Sequence, residues 1–273
     1  MSQKKKKKKS KKNLVLNIVL VVCLICFVVS AGVLVKYFWD GYETQKELSQ
    51  LSELILSDEE LEAAQNGNAE QTDENTSGEA TSGSNRYEKL LEENEDFIGW
   101  IEIEGTDISY PVMYTPDDPE YYLHRNFEQE YEYSGLPFVD GNCSLRPRST
   151  NVIIYSHNMK NGTMFHELLE YKDEDFYEEH PYVTFNTIYE DAEYEIVSVI
   201  LARALDEDEE GFRYYSVIDI DSQEEFDDYM ENIEALEIYD TGVEAEYGDE
   251  LLTLSTCEYS QDDGRLAVIA KKR

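Results

Sequence analysis

The chain is poor in the residues that most often carry chemistry. Among 273 residues there are four cysteines and four histidines, and lysine and arginine together number 23 against 60 aspartates and glutamates. Positive charge is scarcer still once its placement is counted, because eight lysines, Lys4 to Lys9 with Lys11 and Lys12, sit at the start. Beyond residue 35 there remain 15 basic and 60 acidic residues, a net charge of −45. Neutralising phosphates requires a basic footprint, so this portion has no nucleic acid or anionic lipid as an expected partner. Acidic runs such as Asp206-Glu207-Asp208-Glu209-Glu210 lack the ligand and glycine spacing of an EF-hand loop and read as solvated surface. No metal and no cofactor is expected.

The few cysteines divide by environment. Cys23 and Cys26 fall inside an uncharged apolar run, where their spacing reads as packing, which leaves Cys143 and Cys257. A disulfide between them is one reading; a domain of this size can stand on its core without one, and the preferred reading is a free reactive thiol at Cys257 with an incidental one at Cys143.

What is present begins with that apolar run. Residues 14–35 carry no charge, and as a helix at ~1.5 Å per residue they span ~33 Å, enough for a ~30 Å hydrocarbon core. The lysine cluster places the N-terminus in the cytoplasm and everything after Lys36 outside, and Tyr37, Phe38 and Trp39 follow as an interfacial belt would. The competing reading is a cleaved signal peptide ending near Ser30-Ala31-Gly32, but the run exceeds the roughly 7–15 residues of such a segment. The expected organisation is a cytoplasmic tail (1–13), a transmembrane helix (14–35), a stalk helix (36–65) with Leu48, Leu51, Leu54, Ile55 and Leu61, a flexible linker (66–85), and a catalytic domain (86–273). The linker holds no large apolar residue. Two sequons, Asn75-Thr76-Ser77 and Asn161-Gly162-Thr163, are too short a pattern to carry weight.

From residue 86 onward strands dominate, with runs at 97–103, 108–113, 136–139, 152–155, 182–187, 194–202, 251–256 and 266–270. So many short strands predict a mainly β domain, a closed barrel or a sandwich. One helix should follow Gly162, burying Met164, Phe165, Leu168 and Leu169. Another should open at Ser222, where Glu225 completes a capping box, and continue through Phe226, Tyr229, Met230, Ile233 and Leu236.

Near the end, Thr253-Leu254-Ser255-Thr256-Cys257 reads as a strand closed by a thiol, and Arg265-Leu266-Ala267-Val268-Ile269-Ala270 as a strand opened by a guanidinium. Alternation puts Leu252 and Leu254 toward a core and Thr253, Ser255 and Cys257 outward. A nucleophilic thiol needs a proton carrier and an oxyanion donor. Of the histidines, His124, His166 and His180 read as structural. His157 directly follows the apolar run Asn151-Val152-Ile153-Ile154-Tyr155, so a buried strand would present it at a barrel rim, as Cys257 is presented by another.

The segment Tyr155-Ser156-His157-Asn158-Met159-Lys160-Asn161-Gly162-Thr163-Met164-Phe165 resembles the histidine motif of class B sortases, and Thr253 to Cys257 with Arg265 resembles their cysteine and arginine motifs. Residues 94–101, Tyr110-Pro111-Val112, Tyr121-Tyr122-Leu123 and Ser134-Gly135-Leu136-Pro137-Phe138 are similar to that family in its order. The resemblance implies an eight-stranded β-barrel with N-terminal helices and a long helix between strands six and seven. It implies a membrane-anchored cysteine transpeptidase of Gram-positive bacteria, with Cys257 as nucleophile, His157 as proton carrier and Arg265 as oxyanion donor. Such an enzyme cleaves a C-terminal sorting signal after its threonine and passes the acyl group from a thioester to an amine of a peptidoglycan precursor or a pilin. Leu123, Tyr155, Ser255, Thr256 and Glu258 match positions that line the substrate groove. Ser156 stands where the family usually has glycine, and Pro119 where many members have asparagine. Alternative readings are another extracellular cysteine peptidase, an L,D-transpeptidase, or a non-catalytic anchored binding module. The first two want their cysteine in a different setting, and the third would not need all three polar residues.

Overall fold

The computed structural model describes residues 3–57, 86–206 and 208–273; the linker at 66–85 and the end of the stalk at 58–65 lie outside the described residues. Residues 1–46 and 47–273 form separate compact units. In the first, α1 (Gln3–Ser52) begins, and from Leu14 onward it is long and apolar enough to cross a membrane. The side chains of its apolar stretch are nearly all exposed, so no protein core covers them.

The second unit is built on eight strands: β1 (Phe97–Glu102), β2 (Ser109–Met113), β3 (Phe138–Val139), β4 (Asn151–Tyr155), β5 (Tyr182–Thr187), β6 (Glu193–Arg203), β7 (Leu251–Cys257) and β8 (Gly264–Lys272). They close in the order β1-β2-β3-β4-β7-β8-β6-β5, with β5 returning to β1, so the sheet has no free edge. Two pairings are parallel, β2 with β3 and β4 with β7; the others are antiparallel.

Alternation fills the interior. Leu252 and Leu254 of β7 and Leu266, Val268 and Ala270 of β8 enter one core together with Ile101, Tyr110, Val152, Ile154, Phe165 and Phe185. The outer face of β6, β7 and β8 is covered too, which corrects the outward placement expected for the β7 hydroxyls. Ala267, Ile269 and Ile200 pack there under Tyr214, Phe226, Tyr229 and Ile233, and Thr253 and Ser255 are fully buried. Their hydroxyls are satisfied inside the protein, by Asn151 at 2.9 Å and Tyr214 at 2.8 Å.

Helices fill the connections. Short α2 (Glu88–Glu93) precedes β1, and α3 (Glu174–Glu179) lies between β4 and β5. The single helix expected after Gly162 is instead a tight loop, a 3-10 turn over Glu167–Lys172 and then α3, with Met164 at φ +58°. Between β6 and β7 stands α4 (Gln223–Glu234), whose Phe226, Tyr229 and Ile233 form the buried stripe. Ser222 caps it, accepting from the Glu225 amide at 3.2 Å, while the Glu225 carboxylate reaches back to the Asp221 amide at 2.9 Å.

Candidate active site

The barrel's pairing brings three distant residues to one rim. In the parallel β4–β7 ladder Tyr155 pairs with Ser255, so His157 and Cys257 each stand two residues past the last matched pair. In the antiparallel β7–β8 ladder Cys257 pairs directly with Arg265. The β4–β7 match is then carried beyond the strands by three bonds in step. Ser156 N–H donates to the Ser255 carbonyl at 3.2 Å, Thr256 Oγ1 donates to the Ser156 carbonyl at 2.8 Å, and Asn158 Nδ2 donates to the Cys257 carbonyl at 2.9 Å. Asn158 is itself oriented by His166 Nδ1 at 2.6 Å from its Oδ1. Because an amide oxygen only accepts, His166 carries its proton on Nδ1.

His157 is fixed at both ends. Its carbonyl accepts from the Phe165 amide at 2.9 Å, and its Nε2 lies 3.0 Å from the Leu123 carbonyl. A carbonyl can only accept, so Nε2 is the protonated nitrogen and Nδ1 is left as the base of the neutral ring. The ring stacks on His124, with centroids 5.2 Å apart at 22°, and lies within 5° of parallel to Tyr133 at 6.2 Å. Burial lowers the His157 pKa below the usual imidazole value; the Leu123 bond opposes that shift and the neighbouring His124 adds to it.

Cys257 is a half-buried free thiol, and Cys143 is a free thiol closed inside the protein. The Arg265 guanidinium is half-buried beside its own turn, with Nη1 donating to the Gly264 carbonyl at 2.9 Å and the Asp263 carbonyl at 3.4 Å. That turn is tight: a Cβ on Gly264 would lie 2.3 Å from the Glu258 carbonyl oxygen.

His157, Cys257 and Arg265 open into one cleft of about 490 Å³. Of the residues expected to line a groove, Leu123, Tyr155, Ser255 and Thr256 do so, as do Ser156 and Pro119. Glu258 is placed elsewhere. Its carboxylate is buried against Lys172 Nζ at 2.5 Å and accepts from Ser260 N–H at 2.9 Å and Ser260 Oγ at 2.5 Å. Burial alone would raise its pKa, but the Lys172 and Ser260 bonds outweigh burial and hold it at about 2. A half-buried nucleophile-histidine-arginine rim at the mouth of an apolar cleft is equipped for acyl transfer through a thioester.

A sortase domain model matches residues 101–273, most of the chain and all of the barrel from the end of β1 onward. The chain belongs to the sortase family, class B. It is 33% identical over 199 residues to the Sortase B of Listeria monocytogenes, covering 72% of this chain and 76% of that protein. The solved sortase B of Clostridium perfringens superposes with a TM-score of 0.61 at 33% identity, covering 68% of this chain and 98% of that one. The sortase B of B. anthracis gives 0.67 at 28% identity over 86% and 98%. This sortase is therefore a cysteine transpeptidase on an eight-stranded barrel.

Two parts of the sortase site escaped the sequence reading. Phe138, Tyr214 and Tyr215 line the cleft alongside the expected residues, and the two tyrosines come from the β6–β7 connection. The adjacent aromatic pair after the acidic run was the available signal, since such a connection has little reason to carry two tyrosines unless they pack. His124 gave no signal at all, because its contact with His157 is set by the folding of the Tyr121–His124 turn.

Proposed function

We propose that this enzyme is a single-pass membrane sortase, N-terminus cytoplasmic and barrel outside, that joins secreted proteins to an amine at a Gram-positive cell surface. A C-terminal sorting signal lies in the cleft, against Leu123, Tyr155, Ser255 and Thr256. Cys257 passes its thiol proton to His157 Nδ1 and its Sγ attacks the carbonyl of the signal's threonine, while Arg265 donates to the oxyanion as it forms; a planar guanidinium stays protonated and suits that role. The tetrahedral centre collapses with cleavage of the C–N bond, and His157 gives its proton to the departing amine. The product is a thioester on Cys257 and a neutral imidazole. An incoming amine then attacks the thioester, His157 Nδ1 takes its proton, and the C–S bond breaks to return thiolate and imidazolium. The bond energy kept in the thioester removes any need for a nucleotide.

The observation that carries this reading is the register that sets His157 and Arg265 on either side of Cys257, on strands paired with β7. One solved sortase B is a complex with triglycine, an amine-bearing peptide, which supports an amine as second substrate. The acceptor amine here belongs to a peptidoglycan precursor or a pilin. Ser156 and Pro119 sit in the cleft wall and bear on which signal is preferred.

The test uses quenched sorting-signal peptides with and without an amine, comparing wild type with Cys257→Ala. Cleavage after threonine, a hydroxylamine-sensitive adduct and complete loss in the variant are expected. Cleavage that survives Cys257→Ala would falsify the proposal.

A further inference from the structure

The segment from Asn158 to His166 follows His157 directly, yet no step of acyl transfer calls on it. It is a tight loop closed on itself. Asn158 bridges to Met164 in antiparallel sense, the Gly162 amide donates to the Met159 carbonyl at 2.9 Å, and the Phe165 amide donates to the His157 carbonyl at 2.9 Å. Gly162 at φ +91° and Met164 at φ +58° turn the chain back. The return brings His166 across to Asn158, eight positions earlier, with its Nδ1 2.6 Å from the amide oxygen. Asn158 is 6% exposed and His166 is half-buried, and neither lines the cleft.

The other end of the Asn158 amide reaches the backbone of the thiol-bearing residue. The Glu258 amide donates to the Gly264 carbonyl at 2.9 Å, which makes Glu258 and Gly264 a hydrogen-bonded pair continuing the β7–β8 ladder. Bonded and non-bonded pairs alternate in an antiparallel ladder, so Cys257 and Arg265 form a non-bonded pair and the Cys257 carbonyl points away from β8, toward β4. Strand β4 has ended at Tyr155, and a side chain supplies the missing donor: Asn158 Nδ2 lies 2.9 Å from the Cys257 carbonyl. That carbonyl can only accept, so the amide nitrogen faces Cys257 and the amide oxygen faces His166. Both bonds demand the same orientation of Asn158. One short loop thus holds the backbones of His157, through the Phe165 amide, and of Cys257, through the Asn158 amide.

We propose that Asn158, oriented by His166, is a positioning residue for acyl transfer, setting Cys257 against His157 through the Cys257 backbone while touching neither substrate. This rests on the reading that Cys257 and His157 are the reacting pair. The β4–β7 ladder fixes their register only as far as Tyr155 and Ser255, and the distance between thiol and imidazole is set beyond it by this amide. His166 acts one step further back, by denying Asn158 any other orientation.

The experiment uses the full chain in detergent with a quenched sorting-signal peptide and triglycine as acceptor, and reads kcat, peptide KM and melting temperature. Asn158→Leu keeps the shape without the donor and should lower kcat roughly tenfold or more, with peptide KM within about twofold of wild type, because misplaced reacting groups cost rate rather than binding. His166→Leu should lower kcat by a smaller factor. His166→Asn puts an amide N–H where Nδ1 stood and should restore most of that loss. If His166 acts through Asn158, the double leucine variant is no slower than Asn158→Leu alone. A folded Asn158→Leu enzyme with wild-type kcat overturns the inference, as do multiplicative losses in the double variant or a loss carried by KM. Should Asn158→Leu fail to fold, the His166 pair decides, since equal kcat for His166→Leu and His166→Asn also overturns it. Failure of the transpeptidase reading looks different: cleavage then survives Cys257→Ala.

Discussion

Cys143 and Cys257 are the same side chain in opposite settings. Cys143 is 2% exposed, its Sγ is 3.5 Å from the Asn151 carbonyl, and burial pushes its pKa up to about 12. Cys257 is half-buried in the cleft wall beside His157 and Arg265. Reactivity follows the thiolate and its access. Iodoacetamide at neutral pH is therefore expected to modify Cys257 in the folded enzyme, with loss of activity, and to leave Cys143 untouched until the barrel unfolds. Peptide mass mapping reads both sites, and comparable labelling of the two under native conditions would contradict the assignment.

At the scale of elements, the site depends on how one turn carries a carbonyl. The Leu123 carbonyl that fixes the His157 tautomer comes from the Tyr121–His124 turn, and Gly135 packs directly behind it. Gly135 has φ +57°, and a Cβ there would lie 2.3 Å from the Leu123 oxygen and 2.4 Å from the Tyr122 oxygen. Both contacts are backbone, so neither can swing away. Gly135→Ala is expected to cost roughly 1–3 kcal/mol of stability. It should also lower kcat more than it raises the peptide KM, since the displaced carbonyl orients His157 rather than substrate. Thermal melts and steady-state kinetics check this, and a variant with wild-type kcat would show that the Leu123 contact is dispensable. The sequence revealed elements of this kind unevenly. The strands around Cys257 and His157 were legible because alternation and β-branched runs are local, and the Ser222 cap was legible because it spans four residues. The strand expected at 136–139 shrinks to Phe138–Val139, because the Leu136 amide donates to the Tyr122 carbonyl of the turn at 3.0 Å and Pro137, which accepts from the Met113 amide at 2.9 Å, has no amide to continue the ladder. Glu258 adjoins Cys257 in sequence but turns to Lys172, 86 positions away, a contact no local pattern encodes. The rim of His157, Cys257 and Arg265 was legible as motifs; the stack of His124 and Tyr133 on His157 was not, since it joins a turn, a loop and a strand end.

For the molecule as a whole, the question is where the folded unit begins. A domain starting at residue 86 follows naturally from the apolar-free stretch before it, yet residues 47–57 group with the barrel rather than with the first unit. Leu48 and Leu51 are 5% and 7% exposed and belong to the same core cluster as Tyr87, Leu90 and Phe97, with Leu54 and Ile55 packed against it. The Leu56 amide also donates to the Arg86 carbonyl at 3.1 Å. Removing such leucines uncovers apolar surface that the rest of the core cannot collapse to cover, at about 2–5 kcal/mol for each fully buried site. Nothing comparable is lost by removing residues 1–46, whose apolar stretch is exposed within its own unit. A chain of residues 47–273 should therefore be soluble and melt where the barrel of the full protein melts. A chain of residues 86–273 should melt several degrees lower and bind more of a hydrophobic dye, and Leu48→Ala with Leu51→Ala should reproduce much of that loss. Equal melting temperatures for the two truncated chains would place the boundary at 86 and reduce the last turns of α1 to a tether. The lower stability expected of the shorter chain makes the last turns of α1, from residue 47 on, part of the core of the barrel unit.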